Sequence, residues 1–158
     1  MPVLTQKETM LLKDEKSHEE LCIKKYTTYS NEAQDPELKQ LFTTLGQHEK
    51  QHLNSINTML SGQVPNVNQQ GQQGQQNQTQ NVNMNTNKSN MAFNQKDCDL
   101  CQDALTTEKY VSSTYNTTIF EFKDPNARQV LNHIQKEEQE HGQQIFDYMY
   151  KKGYYTPQ

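Results

Sequence analysis

The chain has 158 residues, a formal charge of −4 and 31% hydrophobic residues, against about 45 to 50% apolar residues in an ordinary globular domain. No apolar run approaches the roughly 18 residues a membrane span needs, and residues 1 to 20 alternate charge with apolarity where a signal peptide would carry an apolar core. The expectation is a chain made in the cytoplasm without a signal peptide, with no membrane span, and the small negative charge without a basic cluster argues against nucleic acid as a partner.

Residues 1–60 read as a helical hairpin. Leu12, Cys22, Tyr26, Tyr29 and Ala33 recur at spacings of three and four, and after Asp35-Pro36 so do Leu38, Leu41, Phe42, Leu45, Ile56 and Met59. Asp35 is a natural N-cap and Pro36 suits the first helical position, where its missing N–H does no harm. Gly62 is a natural stop.

Residues 61–95 hold most of the hydrophobic deficit, since 19 of these 35 residues are Gln or Asn. Such a tract buries too little apolar surface to offset the entropy of ordering it, so it is expected to be a disordered linker. Stacked amide ladders give Gln/Asn tracts a second capacity, association between copies.

Residues 96–158 repeat the first hairpin 89 positions later, without a gap. Leu11 pairs with Leu100, Asp14 with Asp103, Glu19 with Glu108, Tyr26 with Tyr115, Asp35-Pro36 with Asp124-Pro125, Glu49 with Glu138, His52 with His141 and Ile56 with Ile145. The apolar seam here is Cys101, Ala104, Val111, Tyr115 and Phe122, then Ala127, Leu131, Ile134, Ile145 and Tyr148, with Gly153 as the stop. Each hairpin needs its twin to bury its apolar face. The expected fold is all-α: one four-helix bundle of two repeated hairpins, whose long crossover makes the second and third helices parallel, as in ferritin-like bundles.

Several seam positions carry charge. Glu15 and Glu19 fall on the first seam, Glu49 and His52 on the second, Glu108 on the third, and Glu138 and His141 on the fourth. Glu19 precedes Asp35 by 16 residues, while Glu49 and His52 follow it by 14 and 17, so at about 1.5 Å per residue they reach one level. Four buried carboxylates need compensation, which two divalent cations supply. One Glu from each of two helices and a Glu-x-x-His from each of the other two form a dinuclear iron or manganese arrangement. The candidate metal ligands are therefore Glu19, Glu49, His52, Glu108, Glu138 and His141. Glu15 has Ala104 as its counterpart and is left out. His48 has Glu137 as its counterpart, which breaks the repeat, and is expected to face solvent. Tyr26 and Tyr115 are expected to pack in the core, with a bond to a ligand carboxylate as the alternative. Cys98-x-x-Cys101 opens the third helix, where the helix N-terminus is expected to lower a thiol pKa.

Glu108 to Asn116 (EKYVSSTYN), Asp124 to Gly142 (DPNARQVLNHIQKEEQEHG) and Lys152-Gly153-Tyr154-Tyr155 resemble the spore coat protein F family of endospore-forming bacteria. The first hairpin resembles it more loosely, through Asp35-Pro36-Glu37-Leu38 and Gln47 to His52, and Tyr154 stands where the family often has Trp. The resemblance implies a ferritin-like helical fold and a place in the spore coat after synthesis in the mother-cell cytoplasm, with other coat proteins, or a second copy, as partners. Tyr148, Tyr150, Tyr154 and Tyr155 crowd the last turn and tail, where packing at the bundle end is expected, with oxidative cross-linking in a coat as the alternative. The leading expectation is a structural or assembly protein with a metal site in its core and no established catalytic residue. The alternative is a dinuclear iron or manganese oxidoreductase acting on peroxide or oxygen.

Overall fold

In a computed structural model of the chain, which describes residues 3–67 and 93–156, each helix starts at a side-chain cap. Helix α1 spans Gln6–Glu32 and opens on a capping box, in which Thr5 Oγ1 accepts the Glu8 N–H at 3.1 Å and Glu8 Oε2 accepts the Thr5 N–H at 2.8 Å. Helix α2 spans Pro36–Leu60, capped by Asp35 with Pro36 at its start. Helix α3 spans Gln95–Glu121, where Asn94 accepts the Asp97 N–H at 3.0 Å. Helix α4 spans Pro125–Lys152, capped by Asp124 and stopped by Gly153 at φ 74°. Only glycine adopts that left-handed geometry without strain, and Gly62 beyond α2 does the same at φ 85°. No strand occurs among the described residues.

Side-chain pairs give the helix directions. Lys7 meets Glu121, Lys25 meets Asp103, and Tyr115 meets Glu19, so α1 and α3 are antiparallel. Glu37 with Lys151 and His52 with Glu138 do the same for α2 and α4. Helices α1 and α4 each pack against α2 and α3. Helices α2 and α3 therefore run parallel across the diagonal of an all-α bundle, as the long crossover requires. Most of the Gln/Asn tract, 68–92, lies outside the described residues. At its described edge, Val64 and Val67 pack partly against the core.

The hairpins are tied together at their turns. The buried Asp97 carboxylate accepts the Gln34 N–H at 2.7 Å and the Asp35 N–H at 2.9 Å, and in the repeat-related place Glu8 Oε1 accepts the Lys123 N–H at 3.0 Å. Each turn is thus bonded to the first turn of a helix in the other hairpin.

Of the apolar seam residues, Tyr29 and Leu41 are half-buried and the rest are buried. They form two clusters. Leu12, Ile56, Met59, Val111, Leu131 and Ile134 belong to one, and Tyr26, Phe42, Leu45, Ala104, Ile145 and Met149 to the other. Glu19, Glu49, His52, Glu108, Glu138 and His141 occupy the level between them.

Cys98 and Cys101 are buried and are free thiols. The expected lowering of a thiol pKa is overturned: burial pushes both up, Cys101 to about 12, with Asp99 adding to the effect at Cys98 and Asp97 to that at Cys101. Desolvation and the flanking acids outweigh the helix N-terminus here.

Candidate metal centre

All six residues singled out by their spacing lie in one buried layer, each at most 2% exposed. They form two overlapping groups, Glu19, Glu49, His52 and Glu138, and Glu49, Glu108, Glu138 and His141. Within each group one donor atom per residue lies within 4.8 Å of the others. Glu49 and Glu138 belong to both groups, where a carboxylate can serve two ions.

Both imidazoles turn Nδ1 inward. His52 Nδ1 is 3.1 Å from Glu138 Oε1 and 3.2 Å from Glu49 Oε2, and His141 Nδ1 is 3.2 Å from Glu49 Oε1. Their Nε2 atoms face outward to different partners. His52 Nε2 lies 2.7 Å from Glu137 Oε2, and His141 Nε2 lies 3.1 Å from His48 Nδ1. Glu137 is also bonded to His133 Nε2 at 2.6 Å. The rings of His48, His141 and His52 stack in a row, with centroids 5.2 and 5.6 Å apart. His48 therefore does not face solvent as expected: it is half-buried against His141. His48 and Glu137 occupy equivalent places in the repeat and each backs the histidine of the other hairpin. Different residue types at the two places hid this in the sequence.

The tyrosines cross in the same way. The Tyr115 hydroxyl donates to Glu19 Oε1 at 2.6 Å, and the Tyr26 hydroxyl donates to Glu108 Oε1. Both rings are buried, so they pack in the core and also hold a carboxylate. Glu15 is buried one turn before Glu19, and accepts from Thr118 Oγ1 at 2.9 Å and Thr114 Oγ1 at 3.1 Å. It belongs to a neighbouring polar cluster with His18, 3.3 Å away, and to neither four-residue group.

Protons balance the charge of the layer. Burial, then the charges of Glu49 and Glu138, raise the Glu19 pKa well above the usual carboxylate range. Burial and the neighbouring Glu138 carboxylate do the same for Glu108. Burial also opposes ionisation of Glu49 and Glu138, but the neighbouring acids and both imidazoles outweigh it and lower their pKa values, that of Glu138 most strongly. Burial works against a charged His52 or His141 too, and the surrounding carboxylates outweigh it. Two imidazolium ions and two carboxylates then face each other beside two neutral acids.

The donor set fits transition-metal ions. Imidazole with carboxylate suits iron and manganese. Glu19 Oε2, Glu108 Oε2 and Glu138 Oε2 are buried without any hydrogen-bond partner. Three such oxygens in one layer are costly for a site built only of hydrogen bonds, and a cation would satisfy them. Each histidine, oriented by a group on its outer nitrogen, is placed as a metal-bound histidine is.

Comparison with known proteins agrees with this architecture. Residues 96–158 match the Coat F domain family. The protein YusN of Bacillus subtilis (strain 168) is 33% identical over 60 residues, which cover 38% of this chain and 54% of that protein, so the chain spans about half the length of that relative. A crystal structure of a two-domain protein from Anabaena variabilis, containing DJ-1/ThiJ/PfpI-like and ferritin-like domains, superposes with a TM-score of 0.69 at 15% identity. That match covers 96% of this chain and 38% of the other, and establishes likeness of fold. Residues 96–158 are thus similar to the Coat F domain, and the chain folds as a ferritin-like four-helix bundle.

Proposed function

We propose that this chain is a structural or assembly protein of the spore coat whose bundle holds two divalent iron or manganese ions among Glu19, Glu49, His52, Glu108, Glu138 and His141. The Coat F domain at 96–158 supports the coat role, with other coat proteins as partners. The observation that carries the metal reading is the set of three partnerless carboxylate oxygens inside two four-residue donor groups. Tyr26, Tyr115, His48 and Glu137 orient the ligands, and the two apolar clusters pack on either side of the layer. Bound ions would neutralise the carboxylates and add ligation energy to a core short of apolar area.

A second reading is an oxidoreductase acting on peroxide or oxygen. It is favoured by a donor set suited to metals with redox chemistry, which would supply the electron transfer, and by phenols bonded directly to ligand carboxylates.

The test is the metal content of protein purified without chelator, beside a Glu49→Ala, Glu138→Ala double variant. The expected result is about two ions per chain in the parent and near none in the variant, because both carboxylates serve both groups. Parent protein with less than about 0.2 ion per chain would sink the dinuclear reading. For the coat role, a tagged copy absent from purified spores and present in vegetative cytosol would refute it.

A further inference from the structure

The repeat makes the two faces of the bundle comparable position by position, and they differ where a small molecule would enter. A cleft of about 530 Å³ lies on the α3/α4 face, with Glu108 and Glu138 in its wall. Around them are Ser112, Ser113, Asn116, Gln135 and Gln139, with Leu105 and Lys109 beside them. The free oxygens Glu108 Oε2 and Glu138 Oε2 are themselves closed to solvent.

The cleft exists because residues of the second hairpin are small. Gly142 lines it, and a Cβ built there would meet nothing nearer than Leu105 Cδ1 at 3.8 Å. At the equivalent place in the first hairpin stands Leu53, and Ile23 stands where the second has Ser112, both half-buried. The first hairpin also packs more closely: Gly46 lets α2 approach α1 until a Cβ there would lie 3.2 Å from Tyr26 Cβ, and α1 and α2 share a larger contact than α3 and α4. Thus long apolar side chains stand on one face of the carboxylate layer where the other has Gly142 and Ser112 beside an open cleft over Glu108 and Glu138.

We propose that the α3/α4 cleft is the entry site of the buried layer for water and solutes of similar size such as hydrogen peroxide, and that Gly142 and Ser112 keep it open. Because Glu108 Oε2 and Glu138 Oε2 are closed to a water-sized sphere, the last step from the cleft to the layer takes a local side-chain movement. This inference rests on the dinuclear reading for its use, and the cleft itself can be tested without metal.

Two variants copy the first hairpin's side chains into the second: Gly142→Leu, which mirrors Leu53, and Ser112→Ile, which mirrors Ile23. Both keep helical residues in helices, and circular dichroism and the thermal midpoint verify folding. Water is the first probe. In protein loaded with Mn(II), the paramagnetic enhancement of water-proton relaxation per bound ion is expected to fall at least about threefold in both variants at unchanged stoichiometry, because a filled cleft leaves no path for exchange. Hydroxyl radical is the second, with metal-free protein footprinted by mass spectrometry and read at His141 and His52. Oxidation of both histidines is expected to fall by a similar factor in both variants. Parent protein that binds no manganese overturns the dinuclear reading, and the footprint then decides the cleft by itself. Unchanged histidine oxidation in two folded variants, or unchanged relaxation at full loading, overturns the entry proposal.

Discussion

Charge inside this bundle is set by a few named contacts. The buried histidines are held protonated by the carboxylates around them, and Glu19 and Glu108 are held protonated by burial and by their partner acids. Metal ligation needs the deprotonated forms, so loading the layer with two ions is expected to release about four protons. Titration calorimetry in buffers of different ionisation enthalpy measures this number, and affinity is expected to weaken as pH falls because protons compete for the same atoms. Proton release near zero would contradict the description of the layer. The phenols give a second test. Tyr115→Phe removes the donor to Glu19 Oε1, and urea unfolding of the metal-free variant is expected to show a loss of about 1 to 3 kcal/mol, the range for a buried acceptor left unpaired. The six layer residues were legible in the sequence because each breaks an apolar seam and does so twice at one offset. His48 and Glu137 were not, because equal roles are filled there by different side chains, and the tyrosine bonds were left as an alternative because they cross between hairpins.

Helix ends carry the next level of organisation. Seams, caps and stops were readable for all four helices, since Asp-Pro marks the starts of α2 and α4 and Gly62 and Gly153 mark the ends. The use of Asp97 and Glu8 to hold the opposite turns was not readable, because an acid in the first turn of a helix is ordinary and its partner here is backbone from the other hairpin. Asp97→Ala frees two turn N–H groups and is expected to lower stability by about 2 kcal/mol in thermal or urea unfolding, with a smaller loss for Glu8→Ala. No change in Asp97→Ala would mean that the turns hold their place without the tie. Asp35 adds an acid dependence. Burial raises its pKa, but the Tyr148 hydroxyl at 2.7 Å, the Glu37 N–H and Lys152 outweigh it and hold the pKa below the usual value. A depressed folded-state pKa gives stability that is present above the unfolded value of about 3.9 and lost as pH falls through the folded one. Asp35→Asn is therefore expected to flatten the fall in stability below about pH 4.

At the scale of the whole molecule, the parallel run of α2 and α3 puts the end of one and the start of the other at opposite ends of the bundle. The connection must span about 40 Å, the length of a 27-residue helix. A Gly/Ser connection of about 20 residues in place of residues 63–93 is expected to leave a folded monomer, whereas one of about six cannot reach and is expected to give an exchanged dimer in size-exclusion chromatography. A monomer with the shortest connection would contradict the topology. The low hydrophobic fraction now has two visible sources, the Gln/Asn tract and a core interrupted by a Glu/His layer. The most direct test of that layer as a metal centre is an anomalous difference map from crystals of protein loaded with iron or manganese, measured at the edge of that metal. Two peaks among Glu19, Glu49, His52, Glu108, Glu138 and His141 are the expected result. A map with no peak in the layer, from crystals shown to contain the metal, would contradict it.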